Sequence, residues 1–104
     1  MSSYSTSVDA ENKVTFDGDL TMYSIHKDWW LSESKHSLSA LNKQSPITFN
    51  LERLTRIDSA GLAWLINIVR DSQAKGFKVF FTNIPDDLAN LAKISDASAL
   101  LPVQ

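Results

Sequence analysis

The chain has 104 residues, of which 43% are apolar, no cysteine and a formal net charge of -2. This length supports one hydrophobic core, so residues 1–104 are predicted to form a single domain, with the polar residues 1–10 partly frayed. Disulfides and thiolate metal sites are excluded, and the absence of a basic cluster argues against nucleic-acid binding. No apolar run approaches the ~20 residues that span a bilayer, and no signal sequence is recognisable. We therefore expect a cytoplasmic domain that is not inserted in a membrane.

The first third of the chain predicts two strands and a helix. A short edge strand is expected around residues 5–8, and a second strand at residues 13–16, which Gly18 would break. Thr21 is a plausible N-cap for a first helix over roughly residues 22–41. The apolar residues expected on the buried face of this helix are Met22, Ile25, Trp29, Leu38 and Leu41.

The central stretch predicts a strand followed directly by a helix. Residues 47–51 alternate apolar and polar side chains and are rich in β-formers. Beyond Gly61 the apolar period becomes helical, and Gly76 is placed as a C-terminal stop. The residues expected to face the sheet are Leu62, Leu65, Ile66 and Val69.

The last third of the chain predicts another strand and helix. Residues 78–82 contain a short apolar run that is typical of a strand covered on both faces. Pro85 and the acidic pair Asp86 and Asp87 then favour the first turn of a helix, and a further turn is expected in the tail. Strands that alternate with helices predict an α/β fold, a sheet with helices packed against it.

The turn Asp58-Ser59-Ala60-Gly61 is the main candidate for a functional site. The first N–H groups of a helix lack internal partners and carry the positive end of its dipole, so Asp58 or Ser59 is expected to cap them. Gly61 would let another backbone segment approach closely. Ser59 and Ala60 would then form a small exposed surface suited to an anion or to a partner's carbonyl group.

Helix geometry predicts an apolar patch beside this turn. Trp64 and Ile68 lie one turn apart, roughly opposite the arc assigned to the sheet and on the same side as Ala60. A neighbouring helix would explain them, but tryptophan is favoured in protein interfaces. We therefore expect Trp64 and Ile68 to point outward and to anchor a partner protein.

Residues 51–85 (LERLTRIDSAGLAWLINIVRDSQAKGFKVFFTNIP) resemble the STAS domain, the fold shared by anti-sigma factor antagonists and the C-terminal domains of sulfate transporters. Residues 14–20 resemble the family's opening strand, and residues 88–93 and 100–102 resemble the end of STAS subunits of Mla-type phospholipid ABC transporters. The resemblance implies a mixed sheet of four to five strands flanked by three to four helices.

The same resemblance implies a function without catalysis or cofactors. The domain would bind the cytosolic ATPase subunit of such a transporter, and through it the permease at the inner membrane. The residues expected to make this contact are Asp58, Ser59, Ala60, Gly61, Trp64 and Ile68. Homodimer formation stays open.

Two alternatives within the family follow from the same turn. In anti-sigma factor antagonists the third residue of this motif accepts a regulatory phosphate, but here it is Ala60, which lacks a hydroxyl. Phosphorylation at this position is therefore excluded, and Ser59 is only a weak substitute. A constitutive binder of an anti-sigma kinase stays open, as does a nucleotide-binding STAS domain that uses the helix N-terminus.

The remaining polar residues do not predict an enzyme. His26 and His36 are ten residues apart, which is not a ligand spacing for one helix face. Asp17, Asp19 and Asp58 are expected at the ends of neighbouring strands, where turns and caps explain them better than a carboxylate site. No phosphate-binding glycine loop is present. We expect no catalytic residue and no metal ligand.

Overall fold

The structure, a computed structural model, describes residues 4–9, 11–25, 29, 41 and 44–102. The segments rich in β-formers form strands, and the segments with helical periodicity form helices, in the predicted order. The elements are the strands β1 (Tyr4–Val8), β2 (Lys13–Leu20), β3 (Ile47–Ile57) and β4 (Val79–Thr82), the helices α1 (Ser59–Ala74) after β3 and α2 (Asp86–Ile94) after β4, and a final 3-10 turn (Ser98–Leu100).

The strands form one four-stranded mixed sheet in the order β1-β2-β3-β4. β1 pairs with β2 antiparallel, while β2 with β3 and β3 with β4 are parallel. Because β3 and β4 are parallel neighbours, the chain must cross over between them, and α1 makes this crossover. The predicted α/β class with a mixed sheet is confirmed.

Both strands that lead into the candidate site are longer than predicted. β2 continues through Gly18, whose φ is 104°, and β3 continues to Ile57. The register between them shifts twice, once between Thr15 and Asp17 and once between Gly18 and Asp19. Gly18 therefore accommodates an irregularity in the ladder instead of ending the strand.

An aromatic cluster fills the space between the sheet and the helices. Phe16 and Phe49 stack on neighbouring strands with ring centroids 5.7 Å apart. Trp29 meets Phe49 edge-on at 5.7 Å, and Trp64 meets Phe16 edge-on at 5.6 Å. Such edge-to-face pairs stabilise a core beyond the area they bury. Phe81 of β4 extends the cluster, with its ring 5.5 Å from that of Phe49.

The prediction that Trp64 and Ile68 face outward is wrong. Trp64 is 5% exposed and Ile68 is 1% exposed. The ring of Tyr4 on the edge strand also packs against Trp64, at 5.1 Å. Apolar residues occupy a wide arc of α1, and the arc that meets the sheet is centred roughly 70° from the predicted one. Ile66 consequently lies at the margin of the buried face and is only half-buried.

The predicted first helix falls mostly outside the described residues. Trp29 is helical and fully buried, as expected, and Ile25 and Leu41 pack against the core. The prediction that Met22 is buried is wrong, because its side chain is 62% exposed in a turn that follows β2. Besides the helical Trp29, the described residues contain two complete α-helices, fewer than the three to four predicted.

The C-terminal third follows the prediction closely. Pro85 is the N-cap residue of α2, and Asp86 and Asp87 occupy its acidic first turn. The expected extra turn is the 3-10 turn, which precedes the buried Leu101. None of the described helices has the length and the hydropathy that a membrane-spanning helix needs.

Truncation of Trp64 should separate a core role from a surface role. Trp64→Ala is expected to lower the free energy of unfolding by about 3–5 kcal/mol, because it leaves a cavity between α1 and the sheet. Tyr23→Ala removes an aromatic ring that is 73% exposed, so it should change the free energy by no more than about 0.5 kcal/mol. Urea denaturation of both variants measures the difference. Equal stability of the two would contradict the burial of Trp64.

Candidate functional site

The candidate site lies where two parallel neighbouring strands end. β2 and β3 pair in parallel up to Leu20 and Ile57, so their carboxyl ends share one edge of the sheet. The turn at residues 21–25 follows β2, and the turn at residues 58–61 follows β3 and opens α1. Loops at the carboxyl ends of parallel strands are the usual place for binding sites in α/β folds.

Asp58 ties the two turns together. Its backbone is extended, as an N-cap requires, and its Oδ1 accepts a hydrogen bond from the Gly61 N–H at 3.0 Å. Its Oδ2 accepts a hydrogen bond from the Met22 N–H at 3.0 Å, and its own N–H donates to the Leu20 carbonyl oxygen at 3.3 Å. The prediction of a capped helix is confirmed, with Asp58 as the cap. One carboxylate thus positions both turns.

Gly61 allows α1 to sit directly on the end of β2. A Cβ built at Gly61 would overlap the Leu20 carbonyl oxygen and would lie 2.8 Å from Cγ1 of Ile57 and 2.9 Å from the Leu20 carbonyl carbon. Any side chain here would push the first turn of α1 away from the strand. The predicted close approach of a second backbone segment is confirmed, and that segment is the end of β2.

The turn after β2 is held by its own hydrogen bonds. The Thr21 Oγ1 accepts from the Tyr23 N–H at 3.3 Å. Residues 22–25 form a turn and not the start of the helix that Thr21 was predicted to cap, so that prediction is wrong. The Ser24 Oγ accepts from the Thr21 N–H at 3.0 Å and donates to the Asp19 carbonyl oxygen at 2.6 Å. The side chains of Thr21 and Ser24 are therefore buried in the turn. This network fixes the backbone that carries Met22 and Tyr23.

Met22 and Tyr23 project into solvent from this fixed turn. Met22 is 62% exposed and Tyr23 is 73% exposed. Ser59 is exposed and Ala60 is half-buried on the adjoining first turn of α1. We call these four residues the strand-end surface: Met22, Tyr23, Ser59 and Ala60. Two large exposed side chains thus lie beside two small ones on a backbone that hydrogen bonds hold in place.

The structure divides the predicted site residues into two groups. Asp58, Ser59, Ala60 and Gly61 lie together at the strand ends. Trp64 and Ile68 lie in the core and are not available to a partner. Sequence reasoning missed Met22 and Tyr23, because Met22 fits the apolar stripe of a helix and Tyr23 follows it without any motif.

The remaining candidates do not assemble into a reaction centre. Asp17 lies within β2, not at its end, and pairs loosely with Arg53 across the strands at 3.7 Å. Both side chains of this pair are more than half exposed. No three His, Asp or Glu side chains come together as a metal site anywhere in the described ranges. His26 and His36 lie outside those ranges.

Comparison with known proteins gives a family and a fold. The model of the STAS domain family matches residues 5–104. Among solved structures, the anti-sigma factor antagonist SpoIIAA in its unphosphorylated form is similar, with a TM-score of 0.60 and 16% identity over 96% of this chain and 84% of that chain. Such low identity establishes a shared fold alone. No curated protein sequence gives a significant match.

Removal of the Asp58 carboxylate should loosen both turns. Asp58→Ala is expected to lower the free energy of unfolding by about 1.5–3 kcal/mol, because a helix cap and a charge-assisted hydrogen bond are lost together. Amide hydrogen exchange at Met22 and Gly61 should accelerate. Asp17→Ala is the matched control and should change stability by less than about 0.5 kcal/mol, because its ion pair is solvated. If Asp58→Ala is as stable as the parent, the hydrogen bonds from Asp58 to the two turns do not stabilise the domain.

Substitution of Gly61 should reverse the usual effect of alanine in a helix. Gly→Ala in a helix ordinarily stabilises by up to about 1 kcal/mol. Gly61→Ala is expected to destabilise by about 1–3 kcal/mol instead, because the added methyl group overlaps the Leu20 carbonyl group. Thermal and urea denaturation measure the sign. A gain in stability would show that α1 does not rest on the end of β2.

Proposed function

The chain belongs to the STAS domain family, and we propose that it works by binding another protein at its strand-end surface. STAS domains are typically non-catalytic interaction modules. We propose as its partner the cytosolic ATPase subunit of a Mla-type phospholipid ABC transporter. The chain would then be the counterpart of MlaB, and its partner the counterpart of MlaF.

The observation that carries the proposal is the exposure of Met22 and Tyr23 on a hydrogen-bonded turn. Burial of a side chain by a partner costs additional conformational entropy when the backbone that carries it is mobile. Here the Asp58 carboxylate and the Thr21 and Ser24 side chains already hold the backbone. Binding at this surface would therefore lose little backbone entropy, which favours affinity.

The choice of an ATPase partner is supported by sequence likeness at the same turn. The STAS subunits of Mla-type transporters carry threonine and then glycine where this chain has Ser59 and Ala60, so a hydroxyl side chain is kept at the first residue of α1. Ala60 lacks the hydroxyl that a phosphorylation switch needs at this position. A permanent contact fits these residues better than a switched one.

A small domain docked on an ATPase subunit can act in two physical ways. It can stabilise the folded or dimeric subunit by mass action if it binds that state and not the unfolded or monomeric one. It can also shift the subunit's conformational equilibrium if it prefers one state. Neither route needs chemistry in this chain. The domain would reside at the cytoplasmic face of the inner membrane through its partner.

A second candidate is a regulator that binds an anti-sigma kinase. The fold likeness to an anti-sigma factor antagonist favours it, and Ser59 is exposed and could act as a substitute acceptor. Incubation with the cognate kinase, followed by intact-mass measurement, separates the two. A phosphate on Ser59 would favour the regulator.

Nucleotide binding by the helix N-terminus, the third candidate, would appear in a titration with GTP or ATP.

Truncation of Tyr23 should weaken partner binding without unfolding the domain. Tyr23→Ala is expected to raise the Kd for the purified ATPase subunit from the same genome at least about ten-fold, because an aromatic anchor is lost. The melting temperature should stay within about 2 °C of the parent. Isothermal titration calorimetry measures the Kd.

Ile94→Ala is the matched control for this experiment. Ile94 is 84% exposed at the end of α2, away from the strand-end surface, and its truncation should leave the Kd unchanged. If Tyr23→Ala binds as tightly as the parent while Ile94→Ala does not, the docking surface has been misplaced. If the parent chain does not bind the ATPase subunit at all, the partner is wrong.

A further inference from the structure

The outer edge of β4 carries backbone groups that face away from the sheet. The Ile47 N–H donates to the Lys78 carbonyl oxygen at 2.8 Å, and Ile47 and Phe49 register with Val79 and Phe81. In a parallel ladder with this register, the N–H and C=O groups of Val79 and Phe81 point away from β3. Among the described strands, β4 is the last one of the sheet, so these groups lie on its outer edge.

The sequence of this edge strand favours pairing with another strand. Residues 77–82 read FKVFFT, with three phenylalanines, one β-branched valine, one charge and neither glycine nor proline. Short segments with high β-propensity, low charge and no proline are the ones that pair with identical segments when an edge exposes them. β4 therefore needs protection if the chain is to stay monomeric.

The C-terminal segment provides a cover for this edge. The Phe81 N–H donates to the Pro102 carbonyl oxygen at 2.7 Å. Leu101 is 5% exposed and belongs to the hydrophobic core, and Ala97 is 6% exposed. The 3-10 turn lies between them, with the Leu101 N–H donating to the Ser98 carbonyl oxygen at 3.3 Å. We call residues 98–102 the edge guard.

The chemistry of the guard suits protection and not extension of the sheet. Proline has no N–H, so Pro102 can accept a bond from β4 without offering a donor of its own. Natural sheets place proline at edges for this purpose. Among the described residues, the guard bonds to β4 through Pro102, inserts Leu101 into the core and borders both helices. None of its residues takes part in the pairing of β4 with β3.

We propose that the edge guard keeps a self-pairing surface closed, and that its release lets β4 pair with β4 of a second copy of this chain. A second copy fits this edge because it brings the same apolar segment. Two such edges related by a two-fold axis can pair antiparallel, so that the outward N–H and C=O groups of one strand bond to those of the other. The guard thereby sets the oligomeric state of the domain. This inference does not depend on the partner proposed above.

Truncation of the guard's anchor tests the proposal. Leu101→Ala should release residues 98–102, so that amide exchange at Phe81 accelerates at least ten-fold while that of Phe49 on β3 is unchanged. Sedimentation velocity should then show dimers whose fraction rises with protein concentration. The neighbouring Leu100, which is 53% exposed, supplies the control. Leu100→Ala should remain monomeric with the parent's exchange rates.

Three results would overturn the proposal. Phe81 exchange at the parent rate in Leu101→Ala would show that the guard does not hold this edge. Fast exchange with a monomer at every concentration would show that the open edge does not pair. The double variant Leu101→Ala/Val79→Pro lacks the outward N–H of Val79. If this variant still associates, the contact between copies does not lie at the β4 edge. If Leu101→Ala unfolds, the milder Leu101→Val is measured in the same way and must show the same trend.

Discussion

The contact between Gly61 and the Leu20 carbonyl group is the constraint on which the site depends. It lets the first turn of α1 rest on the end of β2, so that two turns distant in sequence become adjacent. Asp58 then bonds to both turns with one carboxylate. Without the close approach, the Asp58 side chain could cap its own helix but could not reach the Met22 N–H.

The pairing of β2 and β3 in the sheet thus determines how rigid the surface at their ends is. The parallel pairing of β2 and β3 brings their carboxyl ends together, and the cap makes the joined turns rigid. Rigidity matters because Met22 and Tyr23 are exposed, and a fixed backbone lowers the conformational entropy that is lost when another protein covers them. The proposed binding site is therefore a surface whose backbone is already fixed before a partner arrives.

Local signals in the sequence were sufficient for the elements and the cap, but not for the orientation of α1. Asp58, Gly61 and Gly76 act through backbone geometry that depends on a few neighbouring residues, so their roles could be predicted. The burial of Trp64 depends on where the helix lies across the sheet and on Tyr4 of the edge strand. Because apolar residues cover a wide arc of α1, periodicity alone placed its centre incorrectly. The exposure of Met22 could not be predicted from local sequence either. Its turn is fixed by a hydrogen bond to Asp58, a residue distant in the sequence.

The central claim is that partners bind where β2 and β3 end. Amide hydrogen exchange of the full chain, recorded with and without the purified ATPase subunit, tests this most directly. We expect new protection at residues 22–25 and at Ser59 and Ala60, with little change on α2. Protection confined to α2 or to the C-terminal segment, with residues 22–25 and 59–60 unchanged, would contradict it.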